Sequence, residues 1–117
     1  MNKILVSGIR LYAFHGCLDE EAKIGSDYQV DIEISTDFSK AAITDDLSET
    51  IDYVKVNQIV KEEMLLRSKL LEHVAKRIIN RFHAEISHPA FYQIKISKLN
   101  PPINGDVHSV SVIISEQ

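Results

Sequence analysis

A chain of 117 residues with 13 Lys and Arg against 17 Asp and Glu has a formal charge of -4 and a pI near 5.7, which excludes a general nucleic-acid or membrane footprint and leaves room for a small ligand bound locally. Hydrophobic residues at 44% and charged residues at 26% describe one globular domain over residues 1–117 with a single core. Cys17 is the only cysteine, which excludes an internal disulfide framework and points to a cytoplasmic setting; the N-terminal apolar run is too short for a signal peptide and nothing approaches a bilayer span.

Residues 3–14 read as a first strand whose alternation blurs at Gly8, where a bulge is expected. Residues 15–26 are a polar loop containing Asp19, Glu20 and Glu21 and closing near Gly25. Residues 27–37 alternate cleanly, with Tyr28, Val30, Ile32 and Ile34 on one face and Gln29, Asp31, Glu33 and Ser35 on the other, as in a half-buried antiparallel strand. Residues 38–50 form a polar connection with one helical turn at 39–42, and residues 50–53 look extended, with Asp52 placed to cap the next helix.

From Val54 the spacing turns helical: Val56, Ile59, Val60 and Met64 mark an apolar side that ends near Arg67. Ser68 stands where it can cap a second helix, on which Leu71, Val74, Ala75, Ile78, Ile79 and Phe82 share a face. A third strand covers residues 91–98. The loop 99–106 holds Pro101, Pro102 and the turn pair Asn104-Gly105, and residues 107–115 form a last strand with Val110, Val112 and Ile114 in alternation. The order β-β-α-α-β-β segregates strands from helices and predicts an α+β fold, a four-stranded antiparallel sheet with two helices laid across one face. Phe91 and Ile113 fall on the outer face, so assembly through the sheet is expected.

Lys98 is the residue out of place. It continues the apolar stripe of Tyr92, Ile94 and Ile96, and an ammonium on a buried face is costly unless something uses it; the bland reading is a strand-end lysine snorkelling to solvent. Glu72, early in the second helix, either complements the helix dipole or points into a pocket rim, where a carboxylate suits a ligand edge with two parallel N–H donors. Glu21 reads as part of a solvated acidic run, and Tyr53 can pack or exchange a proton with a nearby base. His15, His73, His83, His88 and His108 show no paired spacing and Cys17 has no second cysteine, so no zinc ligand set is legible; Cys17 reads as a buried, inert thiol ahead of a nucleophile helped by His15. Phosphate-loop and dinucleotide motifs are missing.

Taken together, His15-Gly16-Cys17-Leu18-Asp19-Glu20-Glu21, Ile24-Gly25, Asp45-Asp46, Ile51-Asp52-Tyr53, Leu71-Glu72-His73-Val74-Ala75-Lys76-Arg77-Ile78 and Lys98-Leu99-Asn100-Pro101-Pro102-Ile103 resemble the dihydroneopterin aldolase family of folate biosynthesis, in order and spacing. The resemblance spans nearly the whole chain. It implies the tunnelling fold, whose units join into four-subunit barrels that stack in pairs as a homo-octamer. It implies active sites between neighbouring subunits, a pterin substrate, and neither metal, other cofactor nor Schiff base. The implied reaction is retro-aldol cleavage of dihydroneopterin to hydroxymethyl-dihydropterin and glycolaldehyde, with side-chain epimerisation in related members.

Carried over by position, Glu72 would grip the amino and ring N–H edge of the pterin, with backbone groups of Leu71, Ile51 and Asp52 completing recognition. Lys98 would be the general acid/base through an ordered water. Tyr53 of a neighbouring subunit would handle the side-chain hydroxyl proton, and Glu21 would contact the substrate tail and orient the network. Leu99 and the tip at residues 103–108 depart from the family's usual pattern, which leaves the balance of aldolase and epimerase open. Two alternatives stand beside this reading. One is an epimerase of dihydroneopterin or its triphosphate, the latter needing loop cations that the sequence lacks; the other is a non-catalytic pterin-binding oligomer, which would need neither Lys98 nor Tyr53.

Overall fold

The computed structural model describes residues 1–116. Strands β1 (Asn2–Ala13) and β2 (Ser26–Thr36) flank a short helix α1 (Asp19–Lys23). A short helix α2 (Ser39–Thr44) and a 3-10 turn (Leu47–Glu49) lead to the long helices α3 (Tyr53–Met64) and α4 (Leu71–Glu85), and strands β3 (Ala90–Leu99) and β4 (Ser109–Glu116) complete the chain. The strands form one antiparallel sheet in the order β1-β2-β3-β4. The long elements therefore keep the α+β order expected from the sequence. Helix α1 is an addition inside what reads as loop.

The alternation in β2 and β3 decides which face meets the helices. Val30 stands opposite Ile96, Ile32 opposite Ile94 and Ile34 opposite Tyr92, all inward and buried. Helix α3 lies against β1, and α4 against β3 and β4. Val56, Ile59, Val60 and Met64 of α3 and Val74, Ala75, Ile78, Ile79 and Phe82 of α4 fill the space between, as their spacing requires. The bulge expected at Gly8 is present. The register shifts between Val6 and Ile9, Gly8 takes φ +71°, and its N–H donates to Asp31 Oδ1 at 2.7 Å. That extra residue keeps Ile9, Leu11 and Ala13 packed on the same core as Ile4 and Val6.

Asp52 caps α3 as expected, its Oδ1 accepting the Val54 N–H at 2.9 Å; Tyr53 is already helical, so the extended stretch stops one residue earlier than the sequence suggests. Ser68 does not cap α4. Leu70 occupies the cap position, and buried Ser68 is bound elsewhere: its N–H donates to His15 Nδ1 at 3.0 Å and its Oγ meets His73 Nδ1 at 2.7 Å. A tertiary partner has displaced the local one. Helix α3 stops at Met64 instead of near Arg67, because Leu65 and Leu66 already face solvent and offer no face to bury. Among the described residues no helix is long and apolar enough to cross a membrane.

Candidate active site

Lys98 occupies the last inward position of β3, opposite Tyr28 on β2 and Val110 on β4. It is only 7% exposed, so it does not snorkel. Its Nζ donates to the His15 carbonyl at 2.9 Å and forms a close ion pair with Glu21 Oε2, while the Tyr28 ring centroid lies 5.7 Å away. The Tyr28 hydroxyl donates to the same carbonyl at 2.8 Å. Burial of the ammonium is thus offset by a carboxylate, a carbonyl and an aromatic face.

Glu21 corrects the reading of the acidic run as a solvated surface. Asp19 and Glu20 are exposed, but the turn of α1 brings Glu21 inward, with its side chain 14% exposed. Its Oε1 accepts the Leu18 N–H at 3.2 Å while Oε2 takes Lys98. Burial pushes the Glu21 carboxyl up, but the Lys98 and Leu18 hydrogen bonds, with the charges of Lys98 and Arg67, outweigh it and hold the group below its usual range. Gly16, at φ +148°, lies directly beneath: a Cβ there would run into the Glu21 carboxyl group.

His15 has no exposed surface. Since Nδ1 accepts the Ser68 N–H, the proton of the neutral ring is on Nε2, which has no hydrogen-bond partner among the described residues. Burial first, then the Arg77 charge, lower its pKa to about 4; Lys98 and Arg67 add to this, while the Met64 backbone opposes it. Sequence reasoning gave His15 only a minor role beside Cys17. Its usable signal was a histidine between the end of an apolar strand and a glycine.

Two cavities flank Glu21. One of about 300 Å³ is walled by Lys98, Glu21, Cys17, Leu71, Val110 and the 101–103 turn, and the other, of about 390 Å³, by Leu18, Ile24, Gly25, Asn100 and Pro102. A larger hollow of about 660 Å³, beside Arg10, Tyr12 and His108, touches neither Lys98 nor Glu21. Asn100 adopts φ 48° and donates its N–H to the His108 carbonyl at 2.8 Å, which aims the two prolines across the first cavity. Cys17 is exposed, not buried as the sequence suggested, with Sγ 3.5 Å from the Lys69 carbonyl. It sits in the loop before α1, on the wall of the first cavity, where open space replaces packing partners.

The remaining predicted residues divide. Leu71 lines the cavity with Lys98, and Glu72 comes next on the exposed first turn of α4, with no side-chain hydrogen bond or ion pair among the described residues. Ile51 is buried in the core and the Asp52 carboxylate is engaged as a cap. Tyr53 is 65% exposed. None of these three lines either cavity or bonds to Lys98 or Glu21. One chain therefore joins Lys98, Glu21 and Leu71 and leaves Tyr53 facing outward. No group of three His, Cys, Asp or Glu side chains is gathered for a metal among the described residues.

The FolB dihydroneopterin aldolase family model matches residues 4–115. The chain belongs to the dihydroneopterin aldolase family. It is 34% identical over 118 residues to the dihydroneopterin aldolase of Bacillus subtilis, covering 100% of this chain and 98% of that protein. It is 36% identical over 116 residues to that of Staphylococcus epidermidis, covering 97% and 96%. The crystal structure of the Escherichia coli dihydroneopterin aldolase in complex with neopterin superposes with a TM-score of 0.89 at 27% identity, covering 100% of both chains. A Burkholderia dihydroneopterin aldolase bound to guanine shares the fold with a TM-score of 0.70 at 15% identity, over 98% of this chain and 89% of that one.

Proposed function

We propose that this family member is a lyase that cleaves dihydroneopterin to hydroxymethyl-dihydropterin and glycolaldehyde, with Lys98 as general acid/base. The observation that carries the reading is the buried Lys98–Glu21 pair on the wall of a cavity that continues to Leu71, next to the exposed carboxylate of Glu72. Breaking the carbon–carbon bond leaves a carbanion that the dihydropterin imine accepts, so the substrate carries its own electron sink. The protein has to remove a hydroxyl proton, return one to carbon and hold the ring still. Positioned proton transfer contributes about 10²–10⁴-fold.

In this reading Lys98 relays the proton through a water, and Glu21 contacts the substrate tail and keeps the amine aimed. Glu72 accepts two parallel N–H donors from the pterin edge, with the Leu71 backbone beside it. Ile51, Asp52 and Tyr53 act from a neighbouring copy, the first two through backbone groups and Tyr53 through its phenol. The outward-facing Tyr53 supports a shared site, as do the exposed Leu5, Tyr12 and Ile113 on the outer sheet face. The proposed assembly is a homo-octamer of two four-subunit rings, working in the cytoplasm without metal or other cofactor.

Incubation of the purified protein with dihydroneopterin should release glycolaldehyde, and Lys98→Ala should lose that activity. Dihydromonapterin without glycolaldehyde would make the protein an epimerase; tight pterin binding without turnover would make it a binder. Light scattering should give a mass near eight times the 13.3 kDa chain. Mixing inactive Lys98→Ala and Tyr53→Phe subunits should restore part of the activity, and failure of subunit-exchanged mixtures to do so would remove the shared site.

A further inference from the structure

We infer that Arg67 is a positioning residue for the acid/base pair: its guanidinium holds the segment that carries Glu21 in register with Lys98. Arg67 Nε donates to the Phe14 carbonyl at 3.0 Å, and Nη2 donates to the carbonyls of Gly16 at 2.7 Å and Leu18 at 3.4 Å. One planar fork therefore gathers three alternate carbonyls where the chain has left β1 and not yet entered α1. An ammonium has the charge but not the fixed fork for this task.

The placement matters because α1 has no buried residue and, beyond the Lys98–Glu21 pair, is held through the segment that precedes it. Its position depends on Leu18, whose N–H fixes the Glu21 carboxylate, and on the ties to residues 15–17. Gly16 N–H donates to the Ser68 carbonyl at 3.0 Å, and the Ser68 N–H donates to His15 Nδ1 at 3.0 Å. Residues 67 and 68 thus grip the segment from the α3–α4 turn, while Lys98 grips the His15 carbonyl from the sheet. The same turn runs directly into Leu71 and Glu72, so the brace also sets the separation between the pterin-holding end and the proton-transfer end of the site. Arg67 has no carboxylate in ion-pair contact among the described residues. Its charge, with that of Lys98, faces Glu21, as does the Tyr28 phenol from β2.

The kinetic consequence rests on the aldolase reading; the geometry does not. In assembled Arg67→Gln, kcat for dihydroneopterin should fall about tenfold or more while KM moves less than about threefold, since the ring edge is held elsewhere. The acid limb of its pH profile should move to higher pH, because Glu21 loses a facing cation. Arg67→Lys should also lower kcat but leave the acid limb near its wild-type position, and it decides the matter should the glutamine variant not fold. The carboxyl ¹³C titration of Glu21, assigned with Glu21→Gln, reads the brace without catalysis: its midpoint should rise in Arg67→Gln. Wild-type kcat and an unmoved Glu21 midpoint in a folded, assembled variant would overturn the inference. If the wild type itself leaves dihydroneopterin intact, the aldolase reading falls and the Glu21 titration alone judges Arg67.

Discussion

Two carboxylates in this protein are buried to nearly the same degree and paired with cations, yet only one of them borders the two cavities beside Lys98. The Glu63 side chain, 12% exposed, lies between α3 and α4, with Oε1 2.9 Å from Arg77 Nη1 and Oε2 3.2 Å from Arg81 Nη1. Arg77 is further held by the Leu66 carbonyl at 2.7 Å, and Arg81 by Glu62 at 2.9 Å and Glu85 at 2.5 Å. Glu21, 14% exposed, has one strong partner in Lys98, one backbone N–H, and open cavity on both sides. Burial and pairing alone therefore do not distinguish the two. What separates the two is whether the pair is closed by further partners or left facing space that a substrate can enter.

The comparison can be broken most forcefully at Lys98. Lys98→Ala should lower kcat/KM by about 10²–10⁴-fold with far-UV circular dichroism unchanged, whereas any Glu63 variant that still folds should keep turnover within about threefold. A silent Lys98→Ala would erase the distinction.

His15 sits between the two regions, with its carbonyl on Lys98 and its ring on Ser68, whose Oγ accepts from Arg77 at 3.1 Å. Its folded pKa of about 4 lies below the ordinary 6.5, so the unfolded chain binds the extra proton and stability rises with pH. The contribution is complete above pH 6.5 and is lost as pH falls through about 4, on the order of 3 kcal/mol. Urea unfolding across that window should show the slope, and His15→Asn, which can still accept the Ser68 N–H, should flatten it. An equal slope in the variant would place the titration on other groups, Glu21 first among them.

At the closed network, Glu63→Ala should cost about 2 kcal/mol, a figure reduced from that of a fully buried pair because both guanidinium groups reach solvent. Denaturant titration at fixed protein concentration measures it. The smallest effect belongs to Asp52→Ala, about 1 kcal/mol for a lost helix cap. Any larger drop in turnover than in stability there would tie Asp52, and with it the start of α3, to the pterin site.

The long elements were legible because each buries one face and repeats at its own period. Val30, Ile32 and Ile34 announce a strand, Val74, Ile78 and Phe82 a helix, and the Gly8 bulge and Asp52 cap arise from the special geometry those residues permit or supply. Helix α1 was not legible: five residues without an apolar face leave no period to read, and its stability comes from acids at its N-terminal turn and ties to other segments. Ser68 misled for a related reason. It has the chemistry of a cap, and only the packed fold offers it His15 and His73 instead.

By itself the sequence determined that Lys98 must lie on the buried face of a strand that ends in a rigid turn, since alternation records the side on which each residue stands. The tertiary structure decided what faces it. Glu21 stands 77 positions away in the chain and the bound carbonyl of His15 stands 83 away. No local period encodes such a pairing, because it depends on how the sheet, the α3–α4 turn and the loop after β1 close on one another.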